Sequence, residues 1–357
     1  MRRSTRTGRL ALLVAGLGLV LACPKKAELP ATVATPPVAL AWQADLPVYD
    51  HIVIVVEENK DYDDIIGNPA APYINGVLKR EGANLTRFFA EEHFSEGNYF
   101  WLFSGDNQGV GFTDRVPSAR NHPGYPFGAP NLGAALIRSG RSFKGYSEDL
   151  PTIGFTGSRD GLYARKHVPW ISFANVPNGK IPSESSNLRF ADFPSGPSQY
   201  HNLPTVAFVI PNMVDDMHNG KLQESIAAGD RWLQKNIDPY YQWAKTHNSL
   251  LILTFDESED RHRYTGLTDP AIRPDVPDAS GHDRRWRLDV QNRIATLFAG
   301  AHIKAGDYPE GPGVTHVNVL RTIEAMYGLP AAGRQQADAV RAGIGESPIT
   351  DVFVRRP

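Results

Sequence analysis

The segment "SLLILTFDE", residues 249–257, is a run of apolar and β-branched residues that ends in two adjacent carboxylates, Asp256 and Glu257. An apolar run of this length with no polar alternation reads as a strand covered on both faces, the pattern of a parallel sheet inside an α/β domain. Three more runs have the same character: "HIVIVV" (51–56), "TVAFVI" (205–210) and "IATLFAG" (294–300). Helix-like stretches accompany them: Tyr73 to Glu81, Leu132 to Arg138 with Asn131 as cap and Gly140 as stop, Gly220 to Ile237, and Val317 to Tyr327. The alternation predicts a three-layer α/β/α sandwich around a mostly parallel central sheet.

In that architecture ligands gather at the carboxyl ends of the strands. The tips here are rich in acceptors. Glu57, Glu58 and Asn59 follow the first run; "PNMVDDMHNG" (211–220), with Asp215, Asp216 and His218, follows the second; Asp256 and Glu257 close the third, with no Lys or Arg until Arg261. Acids brought to one rim repel one another unless a cation lies among them, so the sequence predicts a divalent metal ion. Oxygen donors with one or two imidazoles suit Mg²⁺, Mn²⁺, Ca²⁺, Zn²⁺ or Fe, and the lack of thiolates excludes a structural cysteine site.

A metal at such a site commonly works on phosphate or another ester and needs a nucleophile. "EEHFSEGNYFWLFSG" (91–105) offers one: Tyr99, Leu102 and Phe103 fall at helical spacing, Gly105 can stop the helix, and Ser95 lies near its start. A helix N-terminus presents unpaired N–H groups and the positive end of a dipole. Ser95 there is a candidate nucleophile, with the Asn98 amide a candidate donor to a phosphoryl oxygen. The plainer reading of such a serine is an N-cap.

The chain of 357 residues carries a formal net charge of −2, which argues against a general nucleic-acid or anionic-membrane surface. Arg2, Arg3, Arg6 and Arg9 precede an apolar run, Leu10 to Leu21, and then Ala22-Cys23. This predicts a secretory signal over residues 1–22, its apolar part short for a membrane span. Cys23, the only cysteine, sits where lipobox-like sequences of bacterial lipoproteins are lipidated. A Pro/Ala-rich tether over 23–47 and one catalytic domain over 48–357 complete the expected layout, exported and lipid-anchored to the bacterial cell envelope, facing periplasm or exterior.

The motifs carry a resemblance. "VVEENKDYDDIIG", "HFSEGNYFWLFSG" and "TFDE", with "FKGYSEDLP", "YARKHVPW", "WAKTHNSLLILTFDE" and "VTHVNVLRTIEAMYGLP" in order behind them, resemble a bacterial phosphoesterase family of acid phosphatases and phospholipases C within the alkaline phosphatase-like superfamily. The likeness spans roughly residues 50–353. It implies an alkaline phosphatase-like fold, Ser95 as nucleophile through a phosphoserine, Asn98 as a phosphate contact, and Glu58, Asn59, Asp256 and Glu257 around the metal. Asp216 with His218 resembles a metal-binding pair of related phosphodiesterases, and His282 or His316 is a candidate further imidazole. His93 and His167 are candidates for binding phosphate or protonating the leaving oxygen.

Two features depart from the family pattern. Phe94 and Glu96-Gly97 stand where Pro and Leu-Pro are usual, placing a carboxylate beside the serine, and Ser258 to Leu288 reads as a polar loop over the site whose Arg261, Arg263, Arg284 or Arg285 could meet a phosphate. The expected activity is a metal-dependent phosphomonoesterase of acid phosphatase type, acting on a phosphorylated small molecule or phospholipid. The alternatives are a phospholipase C-type phosphodiesterase and an inactive surface binding protein of the same fold.

Overall fold

The computed structural model describes residues 42–43, 46–111, 113–259 and 292–354. The predicted leader, Cys23, most of the tether, His282, the four loop arginines and all of the 258–288 segment beyond Glu259 lie outside the described residues. Eight strands form the main sheet: β1 His51–Glu57, β2 Ala83–Leu85, β3 Phe143–Ser147, β4 Asn187–Arg189, β5 Val206–Ile210, β6 Ser249–Phe255, β7 Leu297–Gly300 and β8 Gly306–Tyr308. Their order across the sheet is β8-β2-β7-β6-β1-β5-β3-β4.

β1 lies between β6 and β5 and runs parallel to both, with Glu57 opposite Phe255 and Val55 opposite Val209. The three strands therefore finish at one rim. Within the main sheet β7 alone runs against its neighbours, antiparallel to β6 and β2. The sequence places a parallel strand at 294–300; the strand begins at Leu297 and points the other way. Leu297, Phe298 and Ala299 are buried, and a strand covered on both faces reads as a continuous apolar run whichever way it points.

Five helices bear on the site or on the sheet that supports it: α1 Ser95–Ser104, α2 Leu132–Arg138, α3 Leu222–Asn236, α4 Asp238–Ala244 and α5 His316–Tyr327. They cover both faces of the sheet. Phe143 of β3 meets Phe103 of α1, whereas Tyr146, of opposite pleat, meets Phe193. Phe193 stacks on Phe190, which packs on Trp232 of α3. Gly145 lies on the α1 side, where a Cβ would stand only 2.1 Å from the indole of Trp170, so glycine lets that ring rest on the strand.

The helix expected over residues 73–81 is a π-helical turn, Ile74–Lys79, whose start is held by Asp230 accepting from the N–H groups of Tyr73 (3.0 Å) and Ile74 (2.8 Å). Asn131 caps α2 as its sequence suggests, accepting from Ala134 at 2.8 Å.

Candidate active site

Backbone hydrogen bonds lock the three strand tips together before any side chain acts. The Glu58 N–H donates to the Asp216 carbonyl (2.7 Å) and the Asp256 N–H to the Glu57 carbonyl (3.0 Å). Asn59 takes a left-handed backbone (φ 42°). From there its N–H donates to Asp256 Oδ1 at 2.9 Å and its Nδ2 to Glu257 Oε1 at 3.3 Å. Lys60, 1% exposed, turns under this loop and donates to Glu259 at 2.6 Å.

α1 aims its first residue at the rim. Phe94 holds the N-cap position in extended conformation and Ser95 is the first helical residue, so the hydroxyl is free of capping duty. Ser95 Oγ has Glu58 Oε2 at 3.0 Å and Glu257 Oε1 at 3.3 Å as acceptors, and accepts from Lys166 Nζ at 3.3 Å. Lys166 is paired with Asp114 at 2.8 Å. Burial works against its charge, but Glu58 and Asp114 outweigh that and raise its pKa. His93 meets Glu257 from the other side, Nδ1 to Oε2 at 2.5 Å.

His167 enters from the short 3-10 turn Arg165–His167. Its ring stacks on Tyr99 (centroids 5.1 Å apart, planes at 13°), and the Tyr99 hydroxyl donates to Glu58 Oε1 at 2.7 Å. His167 Nε2 lies 3.1 Å from Glu58 Oε1 and Nδ1 lies 3.7 Å from Asp216 Oδ2. Burial, with Lys166 and His218 adding to it, pushes its pKa well below the usual imidazole range, so the ring is neutral.

The donors fit a cation. Glu58, His167 and Asp216 each offer a ligand atom, all within 4.8 Å of one another. Asp216 Oδ2, Asp256 Oδ2, His167 Nε2 and Asn59 Oδ1 are buried without a hydrogen-bond partner, and buried polar atoms are rarely left so. Burial raises the pKa of Asp216 and Asp256, with Glu58 pushing both further and Glu257 adding to Asp256. Burial also raises Glu58, against the opposing pull of Lys166. A divalent ion would complete the orphaned atoms and allow the carboxylates to remain ionised together.

Several candidate residues have other partners. Asn98 does not face the rim: its Oδ1 accepts from the N–H groups of Glu91 and Glu92, both at 3.1 Å, and its Nδ2 donates to the carbonyls of Glu92 (2.5 Å) and Phe94 (3.4 Å). Its amide holds the turn before Ser95, which no sequence spacing reveals. His316 is committed at both nitrogens, to Glu91 Oε2 (2.7 Å) and the Phe255 carbonyl (2.8 Å), so neither is turned to the acids of the rim. His218 reaches Asp216 only through its backbone N–H (2.8 Å) while its ring turns to Asn219. The imidazole beside Asp216 is that of His167.

Glu96 is buried, not turned to solvent. Burial, reinforced by Asp114, pushes its carboxyl up to about 8, so near neutral pH it is largely uncharged and does not repel an anion. Lys166, Tyr99 and Asp114 are not legible as site residues in the sequence; adjacency of Lys166 to His167 in "YARKHVPW" is the signal it offers.

An α/β sheet whose carboxyl rim gathers buried acids around a helix-borne serine has the build of a hydrolase acting on phosphoric ester bonds. Residues 71–330 match the Phosphoesterase family, and the chain belongs to that family. It is 41% identical over 320 residues to a phosphatidylinositol-3-phosphatase of Mycobacterium tuberculosis, covering 90% of this chain and 88% of that one. It is 27% identical over 305 residues to a phosphate-repressible acid phosphatase of Penicillium chrysogenum, covering 82% of this chain and 62% of the relative. In fold it is similar to a Vibrio parahaemolyticus protein of the alkaline phosphatase superfamily, with a TM-score of 0.51 and 10% identity over 84% of this chain and 73% of the other.

Proposed function

We propose that the protein is a metal-dependent phosphomonoesterase in which Ser95 carries the phosphoryl group as a covalent intermediate. Its substrates would be phosphate monoesters of the kind its relatives' names indicate, the monoester of a phosphoinositide included. One observation carries the reading: Ser95 Oγ, at the first residue of a buried helix, lies between two carboxylates and a lysine, beside orphaned metal-ligand atoms.

Attack by Ser95 Oγ on phosphorus forms one P–O bond and breaks the bond to the alcohol. The serine proton has Glu58 Oε2 and Glu257 Oε1 as acceptors, and we assign protonation of the departing oxygen to His93. Water then cleaves the phosphoserine, restoring Ser95 and releasing inorganic phosphate. Throughout, Lys166 and the helix N-terminus offset charge on the phosphoryl oxygens. A divalent ion held by Glu58, Asp216 and His167, with Asp256 as a further oxygen donor, would act as a Lewis acid on the ester oxygens.

Ser95→Ala is expected to lower kcat for p-nitrophenyl phosphate by at least about 10³-fold with the circular dichroism spectrum unchanged. A variant that keeps most of its turnover shows that Ser95 is not the nucleophile.

A further inference from the structure

Next to Ser95 lies a cavity of about 380 Å³ that the proposed reaction does not itself use, lined by Asp114, Arg115, Val116, Ser158, Arg159, Ala164, Lys166 and Met213. It shares a wall with the nucleophile: Lys166 Nζ lies 3.3 Å from Ser95 Oγ and 2.8 Å from Asp114 Oδ2. Three of the lining side chains are cationic and one is a carboxylate. That carboxylate is already occupied by Lys166, which leaves the charge of both arginines unbalanced. Arg115 and Arg159 are exposed, and Arg159 Nε donates only to a backbone carbonyl, that of Gly161 at 3.1 Å. Neither guanidinium is paired with a carboxylate among the described residues.

We infer that this cavity is the leaving-group subsite and that it selects phosphate monoesters whose alcohol portion carries a second anionic group. The inference rests on the phosphatase reading of Ser95. With the phosphoryl group at Ser95, the alcohol has a roomy, partly apolar path past Val116, Ala164 and Met213, a volume within the usual range for small-molecule sites. Among its lining groups two guanidiniums present planar donors suited to phosphate or carboxylate. An uncharged alcohol would leave them with water alone. The second anion could come from a lipid headgroup, as its diester phosphate, or from a soluble metabolite.

The test compares matched substrates with one scissile monoester each: glycerophosphoinositol 3-phosphate against inositol 3-phosphate, and 6-phosphogluconate against glucose 6-phosphate. The wild-type enzyme is expected to favour the doubly anionic member of at least one pair by about tenfold or more in kcat/KM. The preference should fall toward unity in Arg115→Ala/Arg159→Ala and survive in part in Arg115→Lys/Arg159→Lys. Preference in the first pair alone identifies the headgroup source, and in the second pair alone the soluble source. If wild type hydrolyses p-nitrophenyl phosphate yet shows no preference in either pair, or the Ala variant keeps the preference, the subsite is overturned while the phosphatase reading stands. If wild type hydrolyses no monoester with any divalent ion, both fall.

Discussion

Two buried groups of acid and histidine adjoin the end of β6 and are built on opposite plans. In one, Glu91 accepts from His316 Nδ1 (2.7 Å) and the Val317 N–H (2.9 Å), and His316 Nε2 is bonded to the Phe255 carbonyl (2.8 Å). Every side-chain polar atom has a partner, and the product is a joint between the 91–94 turn, the start of α5 and β6. In the other, starting one residue further along the chain at Asp256, Glu58 and Asp216 approach His167, and Asp216 Oδ2, Asp256 Oδ2 and His167 Nε2 have no hydrogen-bond partner. The same residue types are saturated by the fold in the first group and left with orphaned atoms in the second, as the proposed metal site requires. What separates them is whether the protein itself completes their hydrogen bonds.

That contrast is open to direct attack, most sharply at Asp216. Asp216→Asn keeps the acceptor for the His218 N–H but removes a ligand charge, so phosphomonoester hydrolysis is expected to fall by about 10³-fold or more. In chelator, urea unfolding should show stability unchanged or raised, by up to about 3 kcal/mol, because a buried acid crowded by Glu58 and left with an orphaned oxygen has gone. A clear loss of stability would mean that Asp216 is a structural acid like Glu91.

Glu91→Ala should behave the other way. It strands a buried imidazole, the Val317 N–H keeping Thr315 Oγ1 as acceptor at 3.2 Å, which costs about 1–3 kcal/mol in urea unfolding, while any response to divalent ions of the molecules that remain folded is kept. If instead the variant unfolds normally but no longer responds to divalent ions, the two groups are one site.

The strand tips are open to sequence reading because a buried strand announces itself by unbroken apolar character, and the residues after it are then fixed in place. That reading sets Glu57, Glu58, Asp215, Asp216, Asp256 and Glu257 at the strand ends but does not single out which of them share the site. The direction of β7 is not legible, since burial on both faces erases the pattern that orientation would leave. Nor are the partners of Asn98 and His316: both are polar, both lie at the start of a helix, and only coordinates show that backbone groups of the 91–94 turn and of Phe255 claim them. That His167 lies beside Glu58 and Asp216 is not legible either, because the short turn carrying it has no period that would aim it at them. Lys166 is hidden for the same reason.

Glu92 shows a third way for a buried acid to persist, and yields the smallest predicted effect. Both its oxygens accept from Asn107 Nδ2 at 3.0 Å, and it presses so close to α1 that a Cβ on Gly97 would stand 1.8 Å from Oε1, which accounts for glycine at that departure from the family pattern. Burial pushes its pKa from an ordinary 4.5 up to about 8, with Glu91 and Glu257 adding to the rise. It therefore escapes repulsion by keeping its proton. Above pH 4.5 the unfolded chain releases that proton while the folded chain holds it to about pH 8. Its contribution thus favours folding at low pH and is lost as pH rises through that window, by roughly 1.4 kcal/mol per pH unit at most. Glu92→Gln, neutral throughout, should flatten this slope in urea unfolding measured from pH 5 to 8, gaining on wild type as pH rises. An identical slope in the two proteins would show that Glu92 is ionised in the native state, and would return it to the buried acids for which a cation is proposed.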